Sequence, residues 1–321
     1  SSSPFIHSII RRRVLHYRFH ISAVCPAIVK RHRKKGAAQM CIAFLLLEVH
    51  PLYSLIVASN RDEFYGRPTL PAHFWENSES ILAGKDEKGG GTWFGMTRTG
   101  RMALLTNFRE LKPAHGAPSR GNLTRDFLEA GVSPQEYLEQ IYQQEEPHNG
   151  YNLIVADTLA NEVVYYSNRN DGLGPQSIAP GIYGLSNALL DTPWPKVTAG
   201  KERMAAMVAA SGGAELSPED IIHTVLGDTT LVEDAALPQT EVPIEIERRL
   251  SSAFVDTNIL GRAYGTSTQT VMLVRRDGKV EWHERFLDTT KEKLEWTGIT
   301  THWVDLLASS SNPSSICPQI T

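Results

Sequence analysis

From residue 41 onward the chain alternates between short apolar runs and turn-forming residues. Positions 41–49 and 53–59 are almost wholly apolar and are separated by His50-Pro51-Leu52, which predicts a buried β-hairpin. Arg67-Pro68 and Leu70-Pro71 predict a loop. Gly89-Gly90-Gly91 leads into Thr92-Trp93-Phe94-Gly95-Met96, and the Thr99-Gly100 turn leads into Arg101–Asn107, a second hairpin. Positions 122–130 and 134–142 have helical spacing, with Ser133 as cap and Pro134 in the first turn. A third hairpin is predicted over 151–157 and 162–167, and a short strand with a polar end over 181–187. An amphipathic helix over 195–210 is followed by a second helix from Ser217-Pro218 to 226, a loop-rich stretch over 228–250, and a last hairpin, 268–275 and 279–286, around Asp277-Gly278. This order lacks the βαβ rhythm of a parallel sheet and predicts an α+β fold of antiparallel sheets covered by helices. It shows no internal repeat.

Charge divides the chain at residue 40. Of its 32 basic residues nine lie in 1–40, among them Arg11-Arg12-Arg13 and Arg33-Lys34-Lys35, with no Asp or Glu; 41–321 therefore carries 23 basic against 36 acidic residues. An acidic body argues against a nucleic-acid partner, which requires a basic footprint. The basic, acid-free, serine-containing stretch 1–39 reads either as a transit-type leader or as translated upstream sequence, and in both cases as a disordered extension. Its basic clusters allow peripheral contact with anionic lipid. Residues 40–307 read as a single domain, and the serine-rich 308–321 as a disordered tail. Three scattered cysteines give no disulfide framework or zinc spacing and point to a reducing compartment. No apolar run is long enough for a membrane span.

Met40-Cys41 is the most chemically suggestive pair. Were Cys41 the first residue, its thiol would stand beside an α-amine of pKa about 7.7–8.0, close enough to neutrality to accept the thiol proton. The competing reading is a buried strand cysteine. Asn60-Arg61-Asp62-Glu63 follows the second apolar run, where four consecutive polar residues need internal partners or a ligand. Asn107 and Asn187 each end a strand, suited either to turn capping or to an oxyanion hole. The seven histidines from His50 to His302 show no metal spacing.

Met40-Cys41-Ile42, Ala58-Ser59-Asn60-Arg61-Asp62-Glu63-Phe64, Gly90-Gly91-Thr92-Trp93-Phe94-Gly95, Leu105-Thr106-Asn107, Tyr183-Gly184-Leu185-Ser186-Asn187-Ala188 and Tyr264-Gly265-Thr266 occur in this order. With them the chain resembles the transport and Golgi organisation protein 2 family, also called NRDE proteins. The resemblance implies the four-layer αββα sandwich of N-terminal-nucleophile hydrolases. It also implies candidate catalytic residues: Cys41 as nucleophile, Arg61 lowering the thiol pKa, Asp62 binding the α-amine, and Asn107 and Asn187 as oxyanion or amine ligands. It further implies roles in Golgi organisation and secretion and in haem or acyl-lipid trafficking, in the cytoplasm with mitochondrial or Golgi association. A small apolar ligand would then bind in a cleft near Cys41, with no required cofactor and haem as a transported ligand. The alternative is a cysteine amidohydrolase or acyl-transfer enzyme acting on amide or thioester bonds. Ser267 departs from the family pattern, which has an arginine there; Arg262 is the nearest substitute.

Overall fold

The computed structural model describes residues 40–110, 112–144, 147–240, 242–291 and 293–307. The expectations for 1–39 and 308–321 lie outside the described residues. In chain order the elements begin with strands β1 (Cys41–Leu47), β2 (Tyr53–Phe64), β3 (Thr69–Trp75), β4 (Ser78–Asp86), β5 (Phe94–Thr97) and β6 (Arg101–Asn107). Helices α1 (Gly121–Glu129) and α2 (Pro134–Gln144) follow, then β7 (Tyr151–Asp157), β8 (Glu162–Ser167), β9 (Gln176–Ser177) and β10 (Gly181–Leu185). Next come α3 (Pro195–Ser211), α4 (Pro218–Asp220), which widens into a π turn over Ile221–Leu226, and α5 (Ile244–Arg249). The last strands are β11 (Asp256–Ile259), β12 (Arg262–Arg275), β13 (Lys279–Asp288), β14 (Glu295–Trp296) and β15 (Thr300–Asp305).

Among the described residues the strands form two antiparallel sheets. One is ordered β10-β1-β2-β12-β13-β14, with β11 on β12 and β15 on β13; the other runs β3 to β9 in sequence order. Three apolar layers explain why the strands read as nearly continuous apolar runs: each sheet is buried on both faces. Ala43, Leu45, Leu47, Leu55 and Val57 meet Phe94, Met96, Leu104 and Ile154 between the sheets. On the outer face of the first sheet Ile42, Phe44, Leu46 and Ile56 pack against Val197 and Met204 of α3 and Ile221, Ile222 and Val225 of the π turn. On the outer face of the second, Ala103, Leu105, Leu153 and Val155 pack against Leu123, Phe127 and Leu128 of α1 and Leu138 of α2. This is a four-layer αββα sandwich, the architecture expected.

The structure corrects two local expectations. Arg67-Pro68 does fall in the turn between β2 and β3, but Leu70-Pro71 does not mark a loop: Thr69–Trp75 is a strand, tolerating Pro71 because it lies at a sheet edge with a register shift between Leu70 and His73. Likewise β2 does not end before its polar residues. It runs to Phe64, paired on one side with β1 and on the other with β12.

α3 packs on β1 through Gly200, where a Cβ would overlap the ring of fully buried Phe44. Gly200→Ala is expected to destabilise the fold by about 1–3 kcal/mol through overpacking. Chemical denaturation checks this; an unchanged midpoint would show that the helix can lift without loss.

Candidate functional site around Cys41

Strand pairing places Cys41 directly opposite Arg61. By alternation along β1 the thiol faces the space between the sheets, on the side of Ala43 and Leu45. Arg61 is buried beside it. Its Nη1 donates to Ser267 Oγ at 3.1 Å, its guanidinium lies 4.5 Å from the Trp93 ring centroid, and Nη2 is 3.8 Å from Glu63 Oε2. Ser267 thus occupies the departing position by bonding Arg61, whose carbonyl it also meets at 3.2 Å. Arg262 instead lies exposed, its guanidinium over the Phe64 ring. Glu63 Oε2 also faces Arg67 at 3.6 Å. A small crevice of about 20 Å³ lies beside Arg61, lined by Phe64, Arg67, Leu70, Ser267 and Phe286 among others, and Cys41 is not part of its lining.

The backbone around Cys41 is held on every side. Its N–H donates to Asn187 Oδ1 at 3.2 Å, and Ser186 Oγ lies 2.8 Å from its carbonyl oxygen. Asn187 Nδ2 in turn donates to the carbonyl of Asn107 at 2.7 Å. Asn107 therefore enters the cluster through its main chain. Asp62, 2 % exposed, accepts from Thr266 Oγ1 at 2.7 Å on Oδ1, while its Oδ2 is buried without a partner. The Asp62 N–H donates to the carbonyl of Met40, and the Met40 N–H donates to the Tyr264 hydroxyl.

These surroundings set the charge states. Burial pushes the Cys41 thiol up to about 12, and the Asp62 carboxylate adds to the shift; the Asp62 N–H and the Arg61 charge oppose it incompletely. Burial also drives the Asp62 carboxyl upward and the Lys196 ammonium downward, while their mutual attraction works against both changes. The expectation that Arg61 would lower the thiol pKa has the right sign for its own contribution, but desolvation outweighs it.

Sequence reading missed several members of this neighbourhood. Lys196, in the first turn of α3, is 5 % exposed and donates to the Leu250 carbonyl at 3.0 Å. Its signal was present: 196, 200 and 204 fall on one helical stripe, so the lysine shares the buried face of Gly200 and Met204. Arg109 pairs with Glu247, stacks 4.8 Å from the Trp194 centroid and directs Nη2 at Met40 Sδ. Tyr264 and Thr266 were visible only as part of a motif. Among the described residues no three His, Cys, Asp or Glu side chains cluster as a metal site, and no helix is long and apolar enough to cross a membrane.

The sequence model of the family Transport and Golgi organisation 2 matches residues 40–289. The chain belongs to this family. It is 39% identical to the human Transport and Golgi organization protein 2 homolog over 270 residues, 80% of this chain and 96% of that protein. The Drosophila melanogaster Transport and Golgi organization protein 2 is 30% identical over 279 residues, covering 80% and 95% of the two chains. Among solved structures, a conjugated bile acid hydrolase from Clostridium perfringens aligns with a TM-score of 0.39 at 10% identity, over 82% of this chain and 96% of its own. For this member of the Transport and Golgi organisation 2 family, the layered fold therefore rests on the sheets and helices described above. The family match begins at Met40, the residue that keeps the nitrogen of Cys41 in a peptide bond.

Proposed function

We propose that this protein serves Golgi organisation and secretion by holding and carrying a small apolar ligand, of the haem or acyl-lipid class, near Cys41, where the ligand widens the small crevice beside Arg61, without turning it over. One observation carries the reading: with Met40 attached, the thiol is buried, lacks an α-amine and is pushed up to about 12, so it stays protonated at neutral pH. The crevice chemistry supports the ligand class. Phe64, Leu70 and Phe286 offer apolar wall, while Arg61 and Arg67 in the same lining are paired with Glu63 and Asp86, so the match is to the apolar body of such a ligand.

The test is a thermal-shift titration of the intact chain with haem and with a long-chain acyl lipid. Binding is expected for wild type and Cys41→Ala alike. Absence of binding by both probes would overturn the proposal.

A second reading, a cysteine amidohydrolase or acyl-transfer enzyme, is favoured by one separate observation. Asn187 Oδ1 already receives the Cys41 nitrogen, and Asp62 beside it keeps an unpartnered carboxylate oxygen. An α-ammonium on Cys41 would satisfy such an oxygen. This reading requires cleavage of the Met40–Cys41 bond, and turnover that disappears in Cys41→Ala would establish it.

A further inference from the structure

A cavity of about 330 Å³ opens on the outer, helix-covered face of the second sheet. Leu123 of α1, Ile141 and Tyr142 of α2, and His148, Tyr151 and Tyr166 line it. It shares no lining residue with the crevice beside Arg61. Its walls are fixed by hydrogen bonds. Asn168 Oδ1 accepts from the Tyr151 N–H at 2.9 Å, and Asn168 Nδ2 donates to the carbonyls of His148 and Asn149 at 3.3 Å. The Tyr142 hydroxyl donates to the Gly172 carbonyl at 2.9 Å, tying the end of α2 to the turn after β8. Leu153 pairs with Tyr166 across β7 and β8, which sets Tyr151 diagonal to Tyr166 on the same face. The rings meet edge to face, Tyr142–Tyr166 at 5.9 Å, Tyr151–Tyr166 at 6.1 Å and His148–Tyr151 at 6.0 Å, and so form walls rather than a stack. Arg169, also in the lining, is already engaged: Nε and Nη2 donate to Glu110 Oε1 at 3.0 and 2.6 Å, and Nη1 to the Asn168 carbonyl at 2.9 Å. Tyr166 is not. It is 8 % exposed, and its hydroxyl has no hydrogen-bond partner among the described residues. Burial raises the pKa of this phenol, so it stays neutral and both donates and accepts.

We propose that this cavity binds a small, neutral, planar aromatic molecule carrying a polar group, with the tyrosine rings as its walls and the Tyr166 hydroxyl as its polar contact. The site is separate from the ligand proposed near Cys41 and does not depend on it. Planarity follows from the walls, because aromatic side chains attract an aromatic guest by more than the area it buries. Neutrality follows from the Arg169–Glu110 pair. The guanidinium is occupied by that carboxylate, and the carboxylate by the guanidinium and the Gly150 N–H, so neither is offered to a charged guest. The polar group follows from Tyr166, whose buried hydroxyl gains the partner it lacks. A volume of about 330 Å³ equals that of about eleven waters at about 30 Å³ each, room for one ring or two fused rings.

The test titrates the full chain with benzamide, cyclohexanecarboxamide, benzoate and phenyltrimethylammonium while the thermal midpoint is followed. At 10 mM, benzamide is expected to raise the midpoint by about 3 °C, as for a dissociation constant on the order of 1 mM. The saturated amide and the two ions are expected to bind about tenfold more weakly or not at all, shifting it by less than about 1 °C. Tyr166→Phe keeps the ring and removes only the hydroxyl, and is expected to weaken benzamide about tenfold. Tyr142→Ala removes a wall at an exposed position and is expected to abolish the shift. A chain that ignores benzamide would overturn the proposal. So would equal shifts from the saturated amide or from either ion, because neither shape nor charge would then be selected. Benzamide binding unchanged in both tyrosine variants would overturn it too, by placing the ligand elsewhere. Should Tyr166→Phe fail to fold, Tyr142→Ala decides alone, with the same outcomes. Haem or acyl-lipid binding is measured separately, so failure here leaves the reading of the Cys41 neighbourhood standing.

Discussion

Arg109→Leu is expected to lower stability by about 3–5 kcal/mol, the cost of removing one partner of a buried ion pair. Both partners of the Arg109–Glu247 pair are buried, at 7 % and 4 % side-chain exposure. Removing the guanidinium leaves the Glu247 carboxylate with the Thr240 hydroxyl and, among the described residues, no other ion-pair partner. A buried charge that has lost its partner keeps its desolvation penalty without the compensating attraction, and protonating it near pH 7 also costs free energy. The double variant Arg109→Leu, Glu247→Leu removes both charges and is expected to be less destabilised than the single one, because no orphaned charge remains. Urea denaturation of the three proteins decides the matter. A double variant as unstable as the sum of both singles would mean that the pair acts only through packing on Trp194 and Met40.

A second large effect is expected at Glu284, and its sign depends on pH. Glu284 lies between the two sheets, 1 % exposed, accepting from the Ala72 N–H at 2.6 Å and from Thr270 Oγ1 at 3.1 Å. Burial raises its pKa from the ordinary 4.5 to about 7, and these hydrogen bonds only partly restrain the rise. Between about pH 4.5 and 7 the folded protein therefore holds a proton that the unfolded chain has released. The contribution of this group to stability is fully present below 4.5 and is lost as pH rises through about 7. The full loss converts to about 3 kcal/mol. Glu284→Gln keeps the shape and the acceptor for Ala72 but cannot ionise. It is expected to match wild type near pH 4 and to exceed it by about 3 kcal/mol at pH 8. Denaturation midpoints at the two pH values test this; a variant equally stable, or less stable, at pH 8 would contradict it.

How far the sequence foretold this structure differs from element to element. The hairpins β1–β2, β5–β6, β7–β8 and β12–β13 were legible because each pairs an apolar run with its neighbour across a recognisable turn. The pairing of β10 with β1, which brings Asn187 to the Cys41 nitrogen, joins residues 146 apart in sequence and leaves no local trace. The extension of β2 through Arg61-Asp62-Glu63 was hidden for a physical reason. A polar run reads as the end of a strand unless each side chain has its own buried partner, and here Ser267, Thr266 and Arg67 supply them. Lys196 was overlooked because a lone lysine in an amphipathic helix ordinarily faces water, although its stripe placed it inward. The chemical state of Cys41 could not be read at all: the residue type suggests a nucleophile, whereas the number of atoms packed around it decides that the thiol stays protonated.

The chemistry of the site turns on that thiol, kept protonated while Met40 is attached. The direct measurement is the alkylation rate of Cys41 in the intact native protein as a function of pH, resolved from Cys25 and Cys317 by peptide mass and compared with the urea-unfolded chain. With the thiol at about 12 rather than 9, native Cys41 at pH 8 is predicted to react about a thousandfold more slowly than in the unfolded chain, its rate still climbing beyond pH 10. A native Cys41 that reacts as fast as the unfolded thiol, with a plateau near neutral pH, would contradict the account and make the site a nucleophilic one.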